Sequence, residues 1–172
     1  AEAQYLRALK LWETANKAEH PAVAALRADL GTLMIAQKRF DEADKQLKLA
    51  LQTREKILVP DHPLIADSLH RLGRLQAAQG KPEEAIATFQ RALAINEKNF
   101  GVNHEKLLPD LNALVANQQA LKKLAEVEAL QIRVVTLQEQ RLGPTHPEVM
   151  TLVAALAATE EEQNKLAEAE AL

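Results

Sequence analysis

Apolar residues recur along this chain every three or four positions, which is the spacing of an amphipathic helix. The clearest stretch runs from residue 62 to residue 103 and holds two such patterns, separated by Gly80, Lys81 and Pro82. Glycine suits a left-handed turn, and proline suits the first position of the following helix. The stretch therefore predicts two helices joined by a tight turn, and weaker copies of it precede and follow.

The copies keep a period of 42 residues. Histidine recurs with this period, at His20, His62, His104 and His146. Four further columns of equivalent residues keep the same period: Leu30/Leu72/Leu114/Leu156, Glu42/Glu84/Glu126/Glu168, Arg39/Lys81/Lys123/Lys165 and Glu13/Glu55/Glu97/Glu139. A fixed period of this length is typical of stacked helical repeats. We predict an all-α array of about eight helices in antiparallel pairs.

The period divides residues 1–172 into one array with five blocks: 1–19, 20–61, 62–103, 104–145 and 146–172. Residues 1–19 align with the second half of the later blocks, so they predict only a second helix, with Leu6, Leu9 and Trp12 on one side. The last block predicts a first helix over 146–163 and the start of a second helix from Leu166. Pro109 falls inside a predicted first helix and indicates a late start or a kink there. Both ends resemble cuts through a longer array.

Composition narrows the classes of function. The net charge is −3, so the chain lacks the basic field that draws proteins to nucleic acid or anionic membranes. It contains no cysteine, no apolar run near the roughly 18 residues of a membrane span, and no signal peptide. We therefore expect neither nucleic acid nor membrane as a partner, and these features favour a cytoplasmic protein.

Candidate chemistry is sparse. Ser68 is the only serine, and the sequence contains no phosphate-binding loop and no zinc-protease or hydrolase motif. The four periodic histidines could suggest a metal site. However, packed helices are about 8–10 Å apart, whereas zinc requires nitrogens about 2 Å from one ion. We interpret the histidines as helix caps, and we expect no catalytic residue, no cofactor and no bound metal, and hence no enzyme.

One set of small and large residues has the spacing of the tetratricopeptide repeat, and its members are Leu69, Leu72, Gly73, Gly80, Ala85, Phe89 and Ala92. The junctions EKNFGVNH at 97–104 and EQRLGPTHP at 139–147 resemble those of the kinesin light chain-like subfamily, whose repeats have 42 residues. The resemblance covers essentially the whole chain. It implies an α-solenoid, a right-handed superhelical array, that acts in protein–protein interaction.

In that family the first helix of each repeat lines a concave groove. Carried over to this sequence, the resemblance implies six peptide-binding positions: Asp67, His70, Arg71, Arg74, Asn112 and Gln119, with Asp29 and Thr32 beside them. His70, Arg71 and Arg74 would form a basic spot for a carboxylate or an acidic peptide, and Asn112 would bond to peptide backbone. The alternative is a solvated helix face whose charge Asp67 and Asp29 neutralise.

Three functions fit these observations. The first is a scaffold that binds a peptide or partner helix in the concave groove. The second is an assembly module, in which residues 1–17 of one chain pack on residues 146–163 of another and chains associate head to tail. The third is a regulatory segment of a larger signalling or nucleotide-dependent protein. The sequence identifies no particular protein or peptide as the partner.

Overall fold

A computed structural model describes residues 2–15 and 19–170. Its eight α-helices are α1 (Glu2–Thr14), α2 (Pro21–Ala36), α3 (Phe40–Ile57), α4 (Pro63–Ala78), α5 (Pro82–Phe100), α6 (Leu108–Ala120), α7 (Leu124–Leu142) and α8 (Pro147–Glu170). A short 3-10 turn, Glu105–Leu107, precedes α6. The described residues contain no β-strand. The all-α prediction is therefore confirmed, and the described helices include none long and apolar enough to cross a membrane.

The chain divides into two compact units between Ile95 and Asn96, within α5. In the first unit, α2 packs against α1, α3 and α4, and α3 packs against α4. In the second unit, α7 packs against both α6 and α8. The helix bounds fit the 42-residue blocks closely, since each complete block holds two helices with a turn between them. The block boundaries themselves stay a prediction.

The periodic histidines cap the helical segments that follow them, as expected: α2, α4 and α8 follow His20, His62 and His146, and the 3-10 turn before α6 follows His104. In every case the Nδ1 atom accepts a hydrogen bond from the backbone N–H two residues later, at 3.1–3.2 Å, and the four pairs are His20–Ala22, His62–Leu64, His104–Lys106 and His146–Glu148. This bond satisfies one of the four N–H groups that a helix start leaves without a partner. The 42-residue histidine period thus has a structural cause.

Close helix approach explains the small residues. A Cβ atom added to Gly31 would lie 2.7 Å from Leu47 Cγ, and one added to Gly73 would lie 2.8 Å from Phe89 Cε1. The large side chain of the second helix therefore occupies the space that glycine leaves on the first. In the third block Val115 replaces the glycine and Gln131 replaces the large apolar residue.

Members of the two glutamate columns form ion pairs with arginines. Arg39 donates from Nη2 to Glu42 Oε2 at 2.6 Å at the start of α3. Arg91 Nη2 lies 2.7 Å from Glu55 Oε1 in the first unit. Arg133 pairs with Glu97 in the second unit. These pairs are half-exposed, so each contributes little to stability.

Three details of the turns and ends differ from the sequence prediction or refine it. The expected break after residue 163 is wrong, because α8 continues to Glu170 through a run of good helix formers. Leu6 is exposed rather than packed, although Leu9 is buried. Pro109 does delay the start of its helix, since α6 begins at Leu108 after the 3-10 turn.

Candidate functional site

Helices α2 and α4 bring two of the six predicted groove positions, Asp67 and Arg71, together with Asp29 and Thr32. Asp67 and Arg71 are one turn apart on α4, and Arg71 Nε donates to Asp67 Oδ1 at 3.2 Å. Its Nη1 group donates to Asp29 Oδ1 at 2.9 Å and to Thr32 Oγ1 at 3.0 Å. Two carboxylates and one hydroxyl therefore hold the guanidinium in a single orientation.

A buried arginine that the sequence analysis missed completes this group. Arg54 of α3 is only 5% exposed. Its Nη1 group donates to Asp67 Oδ2 at 2.7 Å, to the Leu64 carbonyl at 2.7 Å and to Ser68 Oγ at 2.8 Å. A charged residue in the column of Trp12 was the signal that could have revealed it. We call the set Asp29, Thr32, Arg54, Asp67 and Arg71 the Arg71 cluster.

Electrostatic compensation within the Arg71 cluster leaves little net charge. Burial alone would raise the pKa of the Asp67 carboxyl, but the hydrogen bond from Arg54 and the charges of Arg71 and Arg54 outweigh it. The pKa of Asp67 therefore lies below its ordinary value, and the carboxylate stays ionised. Two arginines face two aspartates, so the cluster by itself is not a basic spot.

The remaining two basic positions of α4 differ in their surroundings. Arg74 is exposed, and it forms no hydrogen bond or ion pair within the described residues. His70 is half-buried, and its ring packs edge-on against Phe89 of α5 with centroids 5.3 Å apart. Arg71 therefore bonds to side chains of α2, whereas His70 packs on a side chain of α5. Arg74 provides the accessible positive charge on this part of α4.

Asn112 and Gln119 lie on α6 in the second unit, two turns apart. Both are exposed, and both line a cavity of about 170 Å³. The other lining residues come from α6, α7 and α8, and they are Val115, Gln131, Val134, Val135, Leu152 and Ala155. Such a mostly apolar cavity with a few amide groups has the character of a small ligand or side-chain site.

The described residues of the two units offer no candidate metal centre. In each of the four periodic histidines, Nδ1 accepts a capping hydrogen bond, and the four caps lie in separate places. Within the described residues no group of three or more histidine or acidic side chains could hold a metal ion.

Comparisons with known proteins agree with this architecture. Residues 33–98 match the tetratricopeptide repeat family model. The nearly identical TPR-like repeats assigned to a kinesin light chain of Podosopora anserina superpose with a TM-score of 0.72, at 25% identity, over 87% of this chain and 71% of that one. BtubC (BKLC) from P. vanneervenii has the same fold, with a TM-score of 0.73 at 17% identity, over 94% of this chain and 65% of that one. No curated protein sequence matches this chain.

Proposed function

Because this chain carries tetratricopeptide repeats of the kinesin light chain type, we propose that it is a scaffold that binds an extended peptide or a partner helix in the groove formed by its first helices. The tetratricopeptide fold generally serves protein interaction or assembly, and the proposal here concerns the surface used. The proposed contacts are the six groove positions: Asp67, His70, Arg71, Arg74, Asn112 and Gln119.

The ordered guanidinium of Arg71 beside the exposed Arg74 is the observation that carries this proposal. Arg71 uses Nε and Nη1 for its contacts with Asp67, Asp29 and Thr32, which leaves Nη2 for a ligand. A guanidinium already fixed in one orientation loses little conformational entropy on binding. Arg74 adds a positive charge one turn further along α4. The pair suits a peptide that presents a backbone carbonyl to Arg71 and an acidic side chain to Arg74.

A displayed peptide library tests the proposal on four proteins: the wild type, Arg74→Glu, the double variant Arg71→Glu/Arg74→Glu, and Arg7→Glu as a control. Arg7 is exposed on α1 and likewise forms no hydrogen bond or ion pair within the described residues, so the control carries the same charge change away from α4. We expect acidic peptides to be enriched on the wild type and on Arg7→Glu, and to be lost on Arg74→Glu.

Two results would overturn the groove proposal. The first is a lack of enrichment on the wild type. The second is an enrichment that survives Arg74→Glu and the double variant unchanged. Melting temperatures of all four proteins show whether a loss of binding reflects unfolding. Arg71→Glu places a carboxylate against Asp67 and Asp29, whereas Arg74→Glu breaks no hydrogen bond or ion pair within the described residues.

Assembly through the first and last helices is the second candidate function. The observation in its favour is exposed apolar side chains on α1 and α8: Leu6 and Leu11 on α1, and Met150 and Val153 on α8. Two such surfaces from different chains could pack together head to tail. Light scattering should then give a mass that rises with concentration, and Leu11→Glu should prevent the rise. A constant monomer mass at high concentration would exclude this mode.

A further inference from the structure

The four capping histidines share one hydrogen bond whose existence depends on the protonation state of the ring. Each of them accepts a backbone N–H bond at Nδ1, at 3.1–3.2 Å, and the four are His20, His62, His104 and His146. An imidazole accepts a hydrogen bond only at a nitrogen without a proton, and the imidazolium ion is a donor at both nitrogens. Each cap therefore exists only while its ring is neutral, with the proton on Nε2.

Protonation of a capping ring would act on the helix start in two ways, and both are unfavourable. The cap is lost, so one of the first N–H groups of the segment no longer has a protein partner. The new positive charge also lies at the N-terminal end of the segment, where the helix dipole disfavours cations. Proton uptake at these rings therefore weakens the folded state.

The charged residues next to the four rings do not all favour the same protonation state. Those within two positions along the chain are Glu19, Asp61, Glu105, Lys106 and Glu148. The carboxylate of Glu19 pairs with Lys56 at 2.8 Å. The carboxylate of Glu148 accepts a hydrogen bond from Gln138 at 2.7 Å and lies 3.6 Å from Arg141 Nη2. Asp61 and Glu105 are the acids that would favour a charged ring, so both enter the test below.

Two of the rings also have an aromatic neighbour. His20 stacks on Trp12 with ring centroids 4.3 Å apart, and the centroids of His104 and Phe100 are 5.3 Å apart. An aromatic face attracts a cation, so these contacts oppose the effect of cap loss. Within the described residues, neither His62 nor His146 has a ring contact of this kind. The caps of α4 and α8 are therefore the more sensitive to acid.

We propose that the four histidine caps form an acid-sensitive switch, which releases the starts of the capped segments as the pH falls from about 7.5 to about 5.5. An unperturbed imidazole takes up its proton near pH 6.5, in the middle of this range. Stability decreases as the pH falls, because the unfolded chain has no caps to protect and binds more protons than the folded chain. Two of the caps belong to each compact unit, so both units respond.

Thermal unfolding across this pH range measures the switch in the wild type and in the fourfold variant His20→Asn/His62→Asn/His104→Asn/His146→Asn. Asparagine caps a helix well and does not titrate, so the variant keeps its caps at every pH. We expect the melting temperature of the wild type to fall by roughly 5–10 °C, and that of the fourfold variant by less than about 2 °C. Aspartate and glutamate titrate mainly below this range.

Single variants locate the effect. His62→Asn and His146→Asn should each remove more of the fall in melting temperature than His20→Asn, whose ring stacks on an indole. Asp61→Asn and Glu105→Gln remove acids that favour a charged ring, so neither should make the fall smaller. His70→Gln is the matched control, because His70 packs on Phe89 and caps no helix, and this variant should keep the fall of the wild type.

Ring ¹⁵N chemical shifts provide a local measurement. At the upper end of the pH range, all four capping rings should carry their proton on Nε2. As the pH falls, both nitrogens of a capping ring should become protonated, and the backbone N–H that it caps, such as that of Leu64, should shift with the same midpoint.

Three results would contradict the switch. They are a constant melting temperature of the wild type over this pH range, an equal fall in the fourfold variant, and neutral capping rings that carry their proton on Nδ1. If the fourfold variant does not fold, the four single cap variants decide the question, since retention of the whole fall by each of them would exclude the switch.

Discussion

Replacement of Gln131 by leucine should make the protein more stable. The side chain is buried, its Oε1 atom has no partner among the described residues, and leucine occupies the same column in an earlier block at Leu47. Leucine has a volume similar to that of glutamine and brings no group that needs a hydrogen bond. The substitution therefore removes an uncompensated desolvation cost and adds little strain.

The size of the effect follows from three contributions. Removal of the unsatisfied acceptor returns about 1–3 kcal/mol. Helix propensity changes little, because leucine and glutamine are both good helix formers. The adjacent cavity of about 170 Å³ persists, so the gain from packing is incomplete. We expect a net stabilisation of about 1–2 kcal/mol, which corresponds to a rise in melting temperature of about 3–6 °C for a chain of this length.

Gln138 provides a matched control on the same helix. It is 5% exposed, close to the 7% of Gln131, but both polar atoms of its amide have a hydrogen-bond partner. Its Nε2 donates to Glu148 Oε1 at 2.7 Å, and its Oε1 accepts from Arg141 Nε at 2.8 Å. Gln138→Leu should lower the free energy of unfolding by about 1 kcal/mol, since the lost hydrogen bonds involve half-exposed charged partners.

The free energy of unfolding and the melting temperature of both variants are measured by urea and thermal unfolding, followed by far-ultraviolet circular dichroism. The two substitutions are chemically identical, so their difference of about 2–3 kcal/mol isolates hydrogen bonding from hydrophobicity. A fall in stability of more than about 0.5 kcal/mol in Gln131→Leu would contradict this expectation. Equal shifts of both variants in the same direction would also contradict it, because the amide at Gln131 would then be as well satisfied as that at Gln138.

Three further predictions concern the caps and the Arg71 cluster. Arg54→Met should lower the free energy of unfolding by about 2–3 kcal/mol in a denaturant titration, since it breaks a buried ion pair, whereas Arg74→Met should change it by less than about 0.5 kcal/mol. His62→Ala should cost about 1 kcal/mol in the same titration, and His62→Asp should restore most of it by capping α4. Asp67 has a lowered pKa, so its contribution is present above the unfolded pKa of about 3.9 and is lost as the pH falls through the folded value. The difference in melting temperature between wild type and Asp67→Asn should therefore shrink below about pH 4, and a constant difference would contradict this.

Much of the fold was predictable, because the 42-residue period marks where each helix begins and which helices pair. A histidine before each first helix, with its short reach to the N–H two residues later, explains the 42-residue spacing directly. Glycine opposite a large residue likewise predicted the close pairs of helices. The period predicts a turn at position 38, but the backbone conformation of that residue was not predictable from its type. Lys38 and Lys122 adopt positive φ values of 60° and 55°, in the column where Gly80 stands at 74°. Lysine gives no local signal for that conformation, which the packing of the flanking helices imposes.

The candidate site was predictable where its residues share a helix or a column. Arg71 and Asp67 are four apart on α4, which places them on one face. Asp29 and Arg71 are one period apart, and stacked repeats bring equal columns side by side. The contact of Arg54 with Asp67 joins different columns on different helices, so neither spacing nor period indicates it. The burial of Gln131 next to a cavity was likewise not predictable, because it depends on how α6, α7 and α8 pack against one another.

Buried polar side chains in this protein differ in whether hydrogen bonds compensate their burial. Arg54 in the first unit donates three hydrogen bonds, and its burial is compensated. Gln131 in the second unit has no such compensation among the described residues, and it lies beside a cavity rather than within a closed core. A sequence that specifies a stable fold normally avoids this combination, and exceptions are expected at binding sites. If Gln131→Leu stabilises the protein while Gln138→Leu destabilises it, then the hydrogen-bonding state of each amide, and not its polarity alone, decides its contribution to stability.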